Sequence, residues 1–149
     1  MKNRYINLIA LIAIVAFSFS CGGDTVDPVN PSATELQLKS LMNDNASWSV
    51  GGGSVVKDGY NVTNQFDGFT IAIGEFTFTT QNGLETAWPS TGTWEFINDN
   101  PNKILRSDGV EIEVNIINND LILTFNVTGI SGGRVKGIDG NYTFTLSSN

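Results

Sequence analysis

The chain has 149 residues, 15 % of them charged, with 8 basic against 15 acidic side chains and a formal net charge of −7. That length holds one domain and a tail, and no basic patch is present to neutralise phosphates, which sets aside nucleic-acid binding and attraction to anionic headgroups. With no His and a single Cys, the chain has no Ser-His-Asp or Cys-His catalytic set, no His-based zinc site and no internal disulfide.

At the start, Lys2 and Arg4 precede an apolar stretch of 14 residues, 6–19, broken by Asn7 and Ser18. A bilayer-spanning helix needs about 20 apolar residues, so 1–20 reads as a signal peptide. Its removal leaves 6 basic against 15 acidic residues, a formal −9. Cys21 follows at once, flanked by Ser20 and Gly22. Residues 22–32, "GGDTVDPVNPS", contain Gly, Pro and Asp and no aromatic, the composition of a tether with nothing to bury. A cysteine placed there has no core to enter, which makes an attachment point the reading of Cys21 ahead of a buried or free thiol.

Ser32 and Glu35 have the spacing of a capping box and predict a short helix over 33–42, with Leu38, Leu41 and Met42 on its apolar side. Asn43, Asp44 and Asn45 stop it. From Trp48 onward the apolar residues recur at every second position. A first strand near 47–50 bends through Gly51, Gly52 and Gly53 toward Val55 and Val56. Phe69, Ile71 and Ile73 share a face, as do Phe76 and Phe78, Trp94 and Phe96, Ile112, Val114 and Ile116, then Leu121, Leu123, Phe125 and Val127, and last Tyr142, Phe144 and Leu146. With a short strand near 103–106, about eight strands result.

The connections are turns. Lys57-Asp58-Gly59, Ser107-Asp108-Gly109, Asn118-Asn119-Asp120 and Asp139-Gly140 supply Asx or positive-φ chemistry, and none is long enough for a crossover helix. The sheet is therefore antiparallel with one apolar face. The reading is an all-β domain over 33–149: an up-and-down barrel of about eight strands, closed at one end by the leading helix, with a β-sandwich as the alternative.

Few residues suggest chemistry. Glu95, Glu111 and Glu113 alternate with apolar neighbours and so point to solvent, where nothing raises a carboxylate's pKa for acid catalysis. The "NDNPN" and "NNDL" segments have oxygen ligands but no Ca²⁺-loop spacing and read as turns. No catalytic residue, metal site or cofactor is assigned. The sequons at Asn61, Asn126 and Asn141 carry no assignment either. Two aromatics remain as ligand-binding candidates. Trp88 sits in the turn-rich "LETAWPSTG", either stacking on a sugar face or plugging the barrel's end. Tyr60 follows Asp58-Gly59 and can share either role.

The n-region, the apolar run and "FSFSCGG" together resemble the lipobox of bacterial lipoproteins, in the looser form of Bacteroidetes-type members. "LQLKSLM", "ASWSV", "GFTIAI", "WPSTGTWEF", "VEIEVNI", "LILTFNV" and "GNYTFTL" resemble small lipoproteins of that group with a lipocalin-like (calycin-type) domain. Ala46-Ser47-Trp48 stands where lipocalins carry Gly-x-Trp, and no Arg lies in 140–149 to pack on that Trp. The resemblance implies a diacylglycerol thioether on Cys21, two or more acyl chains being needed for firm anchoring. Gly22 in place of Asp implies the outer membrane, Asp24 and Asp27 surface export, and Asp24-Thr25-Val26 an O-glycan on Thr25. The expected function is a non-enzymatic, lipid-anchored envelope protein that binds a small apolar ligand or a partner. The alternatives are a glycan-binding accessory lipoprotein and a structural subunit of an envelope complex.

Overall fold

The computed structural model describes residues 30–128 and 137–149. The readings on the signal segment, Cys21 and Thr25 fall outside the described residues.

The helix α1 (Ala33–Met42) begins at a complete capping box. The Ser32 hydroxyl accepts the Glu35 N–H at 3.2 Å, and the Glu35 carboxylate accepts the Ser32 N–H at 2.6 Å. Two otherwise orphaned donors are thereby satisfied. The helix stops at Asn43, which turns left-handed (φ 48°), and Asp44 and Asn45 continue in the same region as a short 3-10 turn. Leu41 enters the core, and the Trp48 indole N–H donates to its carbonyl at 2.9 Å. That bond fastens the helix to the first strand.

Nine strands follow in chain order: β1 (Trp48–Lys57), β2 (Tyr60–Asn61), β3 (Thr70–Gly74), β4 (Thr77–Gln81), β5 (Thr91–Phe96), β6 (Lys103–Arg106), β7 (Glu111–Ile117), β8 (Asp120–Val127) and β9 (Gly140–Ser148). From β3 to β9 each strand pairs antiparallel with its successor, and β9 returns to pair with β1. Trp48 faces Ser148 and Lys57 faces Tyr142 across that seam. Closure decides for the barrel over the sandwich. Eight strands, β1 and β3 to β9, form the wall, and β2 only extends the β1 hairpin through Lys57 and Tyr60.

The long β1 is one strand where the sequence suggested a bend. Its pairing with β9 slips between Ser49 and Ser54, and Gly51, Gly52 and Gly53 form the bulge. At Gly53 a side chain would overlap the Thr145 carbonyl of β9, so the two backbones approach too closely for any Cβ. Thr63, in a 3-10 turn at Thr63–Phe66, takes up the Val55 N–H at 2.9 Å on the edge of β1 away from β9.

Phe76 departs from the expected pattern. It is not in β4 beside Phe78 but in the β3–β4 turn at φ 56°, on the rim, leaning on Trp94 at 5.4 Å. The inward positions of β4 are Phe78 and Thr80.

Candidate functional site

The up-and-down topology gives the barrel two ends. α1 and the β3–β4, β5–β6 and β7–β8 turns occupy one; the β1–β2, β4–β5, β6–β7 and β8–β9 connections occupy the other, the far end. Both ligand-binding candidates belong to the far end, and the fold sends them in opposite directions.

Trp88 turns inward and is only 2 % exposed. Its ring meets Phe125 at 5.0 Å, Phe144 at 5.9 Å, and Phe69 and Phe78 at 6.1 Å each. The loop that delivers it is fixed by Thr80, whose hydroxyl donates to the Pro89 carbonyl at 2.8 Å and whose N–H donates to Ser90 at 2.8 Å. Trp88 is thus the hydrophobic plug of this end and offers no face to an external sugar. Its indole N–H is buried without a hydrogen-bond partner, so the side chain is held by contacts to its ring.

Tyr60 is 76 % exposed at the tip of the β1–β2 hairpin. The hairpin is stapled to β9: the Asp58 N–H donates to the Asn141 carbonyl and the Asp58 carboxylate accepts the Asn141 N–H, each at 2.9 Å. The tip is therefore held in place while its ring stands in solvent. Beside it, the Tyr142 hydroxyl donates to the Ile138 carbonyl at 2.7 Å. Burial, helped by the Asp58 and Asp139 carboxylates, pushes that phenol above its ordinary value of 10.0.

Above the Trp88 ring lies Arg106, its guanidinium 4.9 Å from the ring centre and 5.7 Å from that of Phe125. It is buried and forked onto the Asp108 carboxylate, Nε to Oδ1 at 2.8 Å and Nη2 to Oδ2 at 2.7 Å, while Nη1 donates to the Ala87 carbonyl at 3.2 Å. A planar cation over an aromatic pair with a bidentate carboxylate is the arrangement a buried arginine needs. Partial burial works against the Asp108 carboxylate, but the hydrogen bonds and charge of Arg106, with the Val110 and Asp108 backbone N–H groups, outweigh it and hold the carboxyl below its ordinary 3.8. Arg106 had no role in the sequence reading. Strand parity was the available signal, since Ile104 points inward and Arg106 is two positions on.

Between these groups and Leu41 at the opposite end, the interior is filled. Among the described residues, the void at its centre measures about 20 Å³ and is bounded by Ile71, Phe78, Trp94, Val114, Leu123 and their neighbours. Ligand cavities run to roughly 300–1,000 Å³, so the described residues of the barrel enclose no chamber for a small apolar molecule. On the outside, Glu95, Glu111 and Glu113 are exposed as their alternation implied. Among the described residues no three His, Cys, Asp or Glu side chains converge as a metal site, and no helix is long and apolar enough to cross a membrane.

No family model, curated protein or solved structure matches the chain.

Proposed function

We propose that this is a non-enzymatic, lipid-anchored protein of the bacterial envelope that acts through the outside of a solid barrel, by binding a partner. The observation that carries the binding mode is the filled interior, with its void of about 20 Å³: recognition has only the outer surface to use. Attachment through Cys21 rests on the charged start, the short apolar run and the Gly/Pro/Asp tether. The exposed ring of Tyr60 on a stapled hairpin is the anchor this reading favours, because a rigid aromatic loses little freedom when it docks.

Fractionation tests the anchoring. The parent protein is expected with membranes and the exported Cys21→Ala variant in the soluble fraction; a variant that stays with membranes overturns it. A photo-crosslinking residue at the neighbouring exposed position 61 tests the surface in cells, with a discrete cross-linked band expected and loss of that band when Tyr60→Ala is added. The same exposed ring supports a second reading, a sugar-stacking platform. Retention on glycan columns that drops in Tyr60→Ala but not in Leu84→Ala would favour it over a protein partner.

A further inference from the structure

Five large apolar side chains of the described residues are exposed, and three of them lie at the helix end of the barrel: Leu36 on α1 (54 % exposed), Phe76 in the β3–β4 turn (42 %) and Ile117 at the last position of β7 (54 %). The helix crosses this end between the other two sites. Glu35, Leu38, Lys39 and Met42 line a groove with Glu75 on one side, while Ser40 and Asn43 lie toward Ile116 and Asn119 on the other. Each exposed apolar residue has an acidic residue next to it in the chain or across the ladder. Glu35 precedes Leu36, Glu75 precedes Phe76, and Asp120 is the register partner of Ile117. Phe76 also holds a backbone conformation that bulky residues avoid, so the rim keeps an aromatic ring where a glycine would be easier.

We propose that the helix end of the barrel is a bilayer-facing surface, resting on a zwitterionic membrane interface through Leu36, Phe76 and Ile117. The proposal rests on the reading of Cys21 as the lipid attachment. Only 11 residues, 22–32, separate Cys21 from α1, and a chain of that length reaches at most about 40 Å. The helix end is where that chain enters, so it is the part of the barrel held nearest the membrane. Apolar side chains at such a surface enter the headgroup boundary. The carboxylates next to them meet the ammonium groups that form the outer layer of a zwitterionic headgroup, and they oppose anionic lipid. Shallow contact by three side chains sets the barrel's orientation, leaving the far end and Tyr60 pointing outward.

The test uses the full-length lipidated protein in phosphatidylcholine vesicles. With the only native thiol in a thioether, one introduced cysteine takes a polarity-sensitive fluorophore, at Leu36→Cys or Ile117→Cys, with Tyr60→Cys as the far-end control. The expected result is a blue shift and quenching by nitroxide-bearing lipid at 36 and 117, none at 60, and weaker effects when phosphatidylserine replaces part of the phosphatidylcholine. Unshifted labels at 36 and 117 on protein that floats with the vesicles overturn the surface and leave the anchor standing. A shift that appears without vesicles as concentration rises, or only on adding a basic protein, also overturns it and assigns the face to a second copy or to that partner. If Cys21 keeps a free thiol and the protein does not float, the anchoring reading fails, and this proposal with it.

Discussion

Arg106 brings a guanidinium into the barrel interior, where it meets a carboxylate fork at one edge, a carbonyl at another, and the edge-to-face pair of Trp88 and Phe125 rings on one side. Removing the buried Arg106 side chain leaves a cavity beside Trp88 and takes the donor from the Ala87 carbonyl, while the partly exposed Asp108 carboxylate turns to water. Arg106→Ala is expected to lower the free energy of unfolding by about 3–5 kcal/mol in urea titrations. Asp108→Asn costs less, since Asp108 is more than a third exposed and water screens part of the loss. The depressed carboxyl of Asp108 sets the pH dependence. Its contribution is fully present above the unfolded-state value near 3.8 and is lost as pH falls through the lower folded-state value. The stability difference between the parent and Asp108→Asn should therefore be constant from neutral pH to about pH 5 and shrink below about pH 4. Trp88 and Tyr60 form a second contrast at this scale. Trp88→Ala is expected to cost about 3–5 kcal/mol and Tyr60→Ala less than about 0.5 kcal/mol, measured by the same titration. The sequence could not separate these two aromatics. Both sit in turn-rich segments without periodicity, and the direction of a loop side chain is set by what the rest of the fold leaves unfilled. Arg106 was legible in principle, because it shares strand parity with Ile104, but an arginine just before Ser-Asp-Gly looks like the polar end of a strand.

Among the elements, β1 has the most exacting local demands. It serves three neighbours along one strand, β3 at its start, β2 at its end and β9 along the other edge. The bulge at Gly51, Gly52 and Gly53 lets it turn from one to the next. Gly53→Ala would drive a methyl into the Thr145 carbonyl and push β1 from β9, with an expected loss above about 2 kcal/mol, whereas Gly51→Ala meets only the Ser49 hydroxyl at van der Waals distance and should change stability by less than about 0.5 kcal/mol. Thermal melts of the pair check this. Three glycines in a row told of a bend but not which one touches another strand, because that contact comes from the far end of the chain. The capping box, by contrast, was readable in full: Ser32, Glu35 and the Asn43 stop depend on residues a turn apart. Phe76 fell to the same locality in the opposite sense. Its alternation with Phe78 imitates a strand, but the two-residue turn after Gly74 takes Phe76 out of the ladder.

For the molecule as a whole, period two and short turns were enough to give an antiparallel sheet with one buried face. They were not enough to give closure, which depends on Trp48 meeting Ser148, a hundred positions away. Nor did they show how full the interior would be, since that is a question of summed side-chain volume. Phe66, Phe69, Trp88, Phe125 and Phe144 together leave almost none. A protein with no chamber gains nothing from an apolar ligand, so a saturating long-chain fatty acid is expected to shift the melting temperature by less than about 1 °C, where binding at a hundred times Kd would add about 2.7 kcal/mol. The β1–β9 seam also has a consequence in time. A polypeptide delivered through a narrow channel from its N-terminal end presents β1 first and β9 last. Until the final nine-residue strand has emerged, β1 has no partner along that edge and the barrel cannot shut. A chain delivered in that way would stay threadable until its last strand is free, and only then close.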